Sequence, residues 1–265
     1  MISPFIVANW KMNKTPSETE ALLSEMTPEL ARLMSGGAVE VTLAPPFTSL
    51  ALAGRMLAGT GIPLCAQDCH WEEEGPFTGE VSAKMLVELG CRYVILGHSE
   101  RRELFAETNH RVNMKARSAL FWGLTPILCV GEKEDERVSG RAAMVVEKQL
   151  KRCLADLHVD GGQRLLVAYE PVWAIGSGRT PAPSEVDEVH RSIRSELLST
   201  FGEERGAGFP ILYGGSVNLG NMDAMMALDA IDGVLVGGAS LDAATFLSIV
   251  EKARAAGPQG VPPPS

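Results

Sequence analysis

The feature that most constrains this chain is an alternation. Short apolar runs rich in β-branched residues recur at Phe5 to Trp10, Val39 to Leu43, Ile62 to Ala66, Tyr93 to Leu96, Pro126 to Val130, Leu165 to Tyr169, Phe209 to Tyr213 and Val234 to Val236. Most of the gaps between them carry helical periodicity. In the first gap Leu22, Met26, Leu30 and Leu33 fall at spacings of four, four and three behind Ser17-Glu18-Thr19-Glu20, which reads as a capping box. Val186, Val189, Ile193 and Leu197 follow a similar start at Ser184-Glu185-Val186-Asp187. Strands that alternate with amphipathic helices imply right-handed crossovers and a parallel sheet. Eight such units match an α/β fold of the closed (β/α)8 type, a single domain, better than an open doubly wound sheet, which the pattern alone leaves as a rival. Residues 1–256 are assigned to this domain, and the Pro- and Gly-rich segment 257–265 is expected to be disordered.

Composition narrows the partners. A net charge of −9, with Lys and Arg scattered, disfavours a nucleic-acid surface. No stretch approaches the ~18 apolar residues of a membrane span, and the first strand-like run starts too early for a secretory leader. Five cysteines, Cys65, Cys69, Cys91, Cys129 and Cys153, form no regular framework and suit a reducing compartment. A cytoplasmic, soluble protein is the expectation. Cys65-Ala-Gln-Asp-Cys69-His70 lacks a second pair at zinc-like spacing, so neither a metal nor another cofactor is expected. The segment from Gln67 to about Ser82 has no helical pattern. With Trp71 and Phe77 expected to be exposed on it, an interface is as good a reading as a solvated acidic loop.

In a parallel barrel the reactive residues sit where strands end. The first ends in Asn9-Trp10-Lys11, and residues two apart on a strand share a face, so Asn9 and Lys11 can both reach the barrel mouth. The fourth ends in Gly97-His98-Ser99-Glu100. A histidine that opens a helical turn meets backbone N–H groups and a positive helix end, which disfavour imidazolium. The sixth ends in Tyr169-Glu170-Pro171, a carboxylate before a hinge-like proline. Taken singly, each has an ordinary explanation: a solvated lysine, a satisfied histidine, half of a salt bridge. Glycine turns at Ile175-Gly176-Ser177-Gly178, Gly214-Gly215-Ser216 and Gly237-Gly238 share that rim and let backbone N–H groups approach an anion, so a small phosphorylated ligand is expected.

Six segments together resemble the triosephosphate isomerase family. They are Asn9 to Asn13, Phe77 to Glu80, Gly97 to Arg102, Ala168 to Gly176, Tyr213 to Val217 and Val236 to Ser240, in the family's order over almost the whole chain. The resemblance implies a homodimeric enzyme of glycolysis and gluconeogenesis that interconverts dihydroxyacetone phosphate and glyceraldehyde 3-phosphate. It implies Glu170 as base, His98 as neutral electrophile, and Lys11 and Asn9 at the oxygen end, with Glu100 and Ser99 in support. Gly176, Ser216, Gly237 and Gly238 would hold the phosphate; Pro171 to Thr180 would be a lid met by Tyr213 and Ser216; Leu235 would shield the base. Phe77 and Thr78 would enter a second subunit near its Asn9 and Lys11. Ser177 and Arg179 stand where many members have Thr and Lys. An isomerase of a four-carbon ketose phosphate, or a non-catalytic phosphate-binding barrel, remain as alternatives.

Overall fold

A computed structural model of the chain describes residues 3–257. Eight strands run parallel in the order of the sequence and close on themselves: β1 Phe5–Asn9, β2 Glu40–Ala44, β3 Leu64–Ala66, β4 Cys91–Leu96, β5 Thr125–Val130, β6 Leu166–Tyr169, β7 Ile211–Tyr213 and β8 Gly233–Val236. The seam pairs Phe5 with Gly233 and Ala8 with Val236. The open-sheet rival is thereby excluded.

Each strand is buried on both faces. Phe5, Val7, Cys65, Tyr93, Ile95, Ile127, Cys129, Leu166, Ala168, Leu212 and Leu235 fill the barrel interior, while the alternate residues pack outward under the helices. Two buried faces explain why the strands appear in the sequence as nearly continuous apolar runs. The stripes Leu22, Met26, Leu30, Leu33 and Val186, Val189, Ile193, Leu197 are all buried, as their spacing predicts.

Two helix starts differ from expectation. The helix Pro16–Met34 is capped by Thr15, not Ser17: the Glu18 carboxylate accepts from the Thr15 N–H at 2.8 Å, and the Glu18 N–H donates back to the Thr15 hydroxyl at 3.4 Å. Pro16 at the first helical position sets this boundary, because its missing N–H costs nothing there. The helix Pro183–Phe201 likewise starts one residue early on a proline, with Glu185 accepting from the Ala182 N–H at 2.8 Å. Trp71 is half-buried and not exposed, stacked on His70 at 4.1 Å between ring centres. Of the segment 257–265, only Gly257 is described, its N–H donating to Ala253 O at 3.1 Å at the end of the last helix; the rest lies outside the described residues.

His190 makes one stability prediction. It is fully buried, edge-on to the Tyr169 ring at 5.7 Å, with Nδ1 3.0 Å from the Ala230 carbonyl oxygen and no partner for Nε2 among the described residues. Burial lowers its pKa to about 4. The folded protein therefore binds fewer protons than the unfolded chain between that value and the ordinary 6.5. The stability concerned is present above 6.5 and lost as pH falls toward 4, by about 3 kcal/mol in all. Urea unfolding of wild type and His190→Gln, at one protein concentration, should converge by ~2–3 kcal/mol from pH 7 to pH 4.5. Parallel pH profiles would show that His190 does not titrate as its burial requires.

Candidate active site

The rim at the C-terminal ends of the strands is built by turns whose geometry other strands fix. After β1, Lys11 has a positive φ of 53°, a conformation that costs a non-glycine residue ~1–3 kcal/mol. Two side chains hold it there. Asn9 Oδ1 accepts the Lys11 N–H at 3.0 Å, and Gln67, just past β3, donates from Nε2 to the carbonyl oxygens of Lys11 and Ala44, each at 2.8 Å. The turn aims the Lys11 ammonium at Glu100 Oε1, 2.6 Å away. A Cβ on Gly237, just past β8, would come within 3.4 Å of Lys11 Cε. The glycine turn after the last strand thus lies against the lysine after the first.

After β4, His98 caps the helix Ser99–Leu104. Its Nδ1 accepts the Glu100 N–H at 3.3 Å, which puts the lone pair on Nδ1 and the proton on Nε2. Nε2 lies 3.0 Å from Glu170 Oε1. Glu170, after β6, is only 1% exposed, and its Oε2 accepts the Ser99 N–H at 2.8 Å. A Cβ on Gly131 would overlap the Glu170 carbonyl, and one on Gly214 would sit 3.0 Å from Glu170 Cγ. Glycine at these two strand ends leaves the room in which the carboxylate is seated.

The segment Pro171 to Thr180 is anchored at both ends. Trp173 donates from Nε1 to Glu132 Oε1 at 2.8 Å, and the Tyr169 hydroxyl donates to the same oxygen at 3.1 Å. Burial raises the pKa of Glu132, and the two donors offset part of that. Arg179 pairs with Glu134 at 2.6 Å, donates to Trp173 O at 3.0 Å and lies 5.3 Å over the Trp173 ring. Between these anchors Gly176 to Gly178 are exposed. Tyr213 is buried with its hydroxyl unpartnered among the described residues, Leu235 closes the barrel interior, and the Ser216 carbonyl accepts from Asn221 at 2.6 Å.

Asn9, Lys11, His98, Ser99, Glu100, Glu170 and Gly237 are therefore brought together by direct contacts. Gly176, Gly238 and Ser216 occupy turns after β6, β8 and β7, and Phe77 and Thr78 lie exposed on the loop after β3. The sequence reading missed Gln67, Gly131 and Glu132. The ends of β3 and β5 carry them, so the same inspection of strand ends, applied to those two strands, would have found them.

A parallel barrel whose rim joins a buried carboxylate, a histidine whose Nε2 lies 3.0 Å from it and a lysine beside a glycine turn defines an acid–base enzyme of small anionic substrates. The triosephosphate isomerase family model matches residues 4–253. Triosephosphate isomerases of Prosthecochloris aestuarii and Chloroflexus aurantiacus are 47% and 45% identical, over 96% and 93% of this chain and 99% and 98% of theirs. A crystal structure of triosephosphate isomerase from Bartonella henselae superposes with a TM-score of 0.85 at 38% identity, covering 96% of this chain and all of that one. The chain belongs to the triosephosphate isomerase family.

Proposed function

We infer that the chain interconverts dihydroxyacetone phosphate and D-glyceraldehyde 3-phosphate by proton transfer through an enediolate, a step of glycolysis and gluconeogenesis. The observation that carries this is the contact of Glu170 with His98 at 3.0 Å, on the rim where Lys11 meets Gly237. Glu170 leaves the Ser99 N–H, takes a proton from one substrate carbon and returns it to the next. His98 donates Nε2–H to the carbonyl oxygen as negative charge develops and recovers a proton from the neighbouring hydroxyl. Lys11 exchanges Glu100 for the enediolate and phosphate, and Asn9 both holds the lysine turn and donates at the oxygen end. Backbone N–H groups of Gly176, Ser216, Gly237 and Gly238 take the phosphate, with Tyr213 and Ser216 meeting the closed lid and Leu235 keeping water from the base.

The barrel acts as one catalytic domain over residues 1–256, and a second copy of it completes the site. Support for a homodimer is the set of apolar side chains near the first three loops: Met12 is 95% exposed, and Phe47, Phe77 and Met85 are also uncovered. Phe77 and Thr78 would enter the partner beside its Lys11 turn. Sedimentation should give twice the chain mass, and a fully active monomer would overturn the pairing. Five free, buried cysteines support a reducing, cytoplasmic location, and no helix among the described residues is long and apolar enough to cross a membrane. A coupled assay with chelator present, offering three-carbon and four-carbon ketose phosphates side by side, tests the reaction. Turnover of the triose phosphates alone is expected; absence of turnover, or equal use of the four-carbon substrate, would reject the assignment.

A further inference from the structure

A cavity of about 730 Å³ lies outside the barrel between the helices Ser99–Leu104 and Asn109–Phe121 on one side and Ala142–Leu154 on the other. Its size is that of a small-molecule site. Lys11, His98, Glu170 and Gly237 do not line it, so it is not the catalytic pocket.

The charges of its wall are unevenly paired. Lys133 is matched by Glu103 at 3.3 Å and Arg117 approaches Asp156 at 3.7 Å, while Glu136 accepts only the Lys133 backbone N–H, at 2.8 Å, and has no cation in ion-pair range among the described residues. Arg102 and Arg152 have no carboxylate in ion-pair range among the described residues, although the chain as a whole carries a net charge of −9. Arg102 is half-buried and bonds only to neutral acceptors: Gly97 O at 2.6 Å, Asn109 Oδ1 at 2.6 Å, Cys129 O at 2.9 Å and Cys153 Sγ at 3.7 Å. These bonds fix its guanidinium without neutralising it. Arg152, from the facing helix, is exposed, and its side chain has no hydrogen-bond partner among the described residues. The wall also includes the first turn of the helix Asn109–Phe121, whose N-terminal end adds positive potential, and His110 on that turn.

We propose that this groove binds the diphosphate group of a small phosphorylated metabolite between Arg102 and Arg152. A fixed, uncompensated guanidinium costs no ordering when an anion arrives, and a second, mobile one can close over it. Two such cations match a diphosphate better than a monoanion. The site does not depend on the isomerase reading. It adjoins that chemistry through Ser99, whose N–H holds the resting Glu170, and Val172, near the start of the lid, both of which line it.

Calorimetric titration of the full chain with inorganic pyrophosphate tests this, with the catalytic rim first saturated by 2-phosphoglycolate, whose carboxylate and phosphate imitate the enediolate intermediate. One saturable site is expected. Arg152→Glu should weaken it about tenfold or more, and Arg152→Ala less in the same direction. Arg191→Glu, a reversal on the outer face where Arg191 pairs with Asp187 at 2.6 Å, should leave it unchanged. Isomerase turnover of the Arg152 variants should stay within about twofold of wild type, since a substitution at an exposed residue away from the rim disturbs neither fold nor chemistry. Lack of a saturable site in the wild type, or equal losses in the Arg152 and Arg191 reversals, would overturn the proposal.

Discussion

Glu170→Asp should lower kcat by about 10²–10⁴ with KM changed only a few-fold. Glu170 Oε2 accepts the Ser99 N–H at 2.8 Å, Oε1 lies 3.0 Å from His98 Nε2 without a hydrogen-bond partner among the described residues, and in the reaction the carboxylate must reach a carbon beyond them. Aspartate keeps the charge and the acidity but withdraws the carboxylate by one methylene, more than the ~1 Å misplacement that alone can cost about 10² in rate. His98→Gln should fall in the same range. An amide can still donate to the carbonyl oxygen, but it cannot pass a proton on, and it loses the imidazole lone pair that accepts the Glu100 N–H. KM should hold in both variants because the groups assigned to the phosphate, Lys11, Gly176, Ser216, Gly237 and Gly238, are left in place. Steady-state kinetics in both directions, with melting temperatures recorded to show that the variants are folded, decide the matter. Wild-type kcat in either variant would remove the role assigned to that residue.

The strands could be read from the sequence because burial on both faces makes each an apolar run, and that same uniformity blurred their ends. β7 begins at Ile211, not Phe209: Pro210 has no N–H to donate and offers only its carbonyl, to the Val167 N–H at 3.1 Å. Phe209 packs instead edge-on against Phe201 at 5.2 Å. β4 begins two residues before the run that predicted it, because the exposed Arg92 interrupts the apolar pattern, and the register with β3 shifts there, Leu64 pairing with Cys91 and Cys65 with Tyr93. In the site, residues that announce themselves at a strand end, such as His98 and Glu170, were legible. The positive φ of Lys11 and the carbonyls that Gln67 holds were not, since backbone conformation and contacts between β1 and β3 leave no spacing in the chain. Glu132 stands in view at a strand end, but what it holds was hidden for a related reason. Its partners Tyr169 and Trp173 lie about forty residues on, and only the pairing of β5 with β6 brings them to it.

Deleting Ile175 to Gly178 should slow isomerisation by about 10² or more and also change what the enzyme makes. The enediolate carries phosphate on the adjacent carbon, so it can be reprotonated or can expel phosphate. Expulsion requires the C–O bond to rotate out of the enediolate plane until it lines up with the π system. A grip that fixes the phosphate in that plane therefore selects isomerisation. Gly176 is the residue of the lid assigned to this grip, and its φ of 68° places it where glycine alone is unstrained. The deletion leaves Trp173 on Glu132 and the helix Pro183–Phe201 in place, so the barrel should survive while the peptide N–H that meets the phosphate is lost. Water also enters once the lid no longer covers the site, which weakens every charge interaction there. The expected result is a larger share of turnovers ending in methylglyoxal and inorganic phosphate. A loop that merely decorated the surface would alter neither rate nor product. Phosphate release measured beside aldehyde formation separates the two cases. A slower enzyme with an unchanged ratio of products would mean that the lid excludes water without restraining the torsion, and the restraint would then have to lie with Gly237 and Gly238.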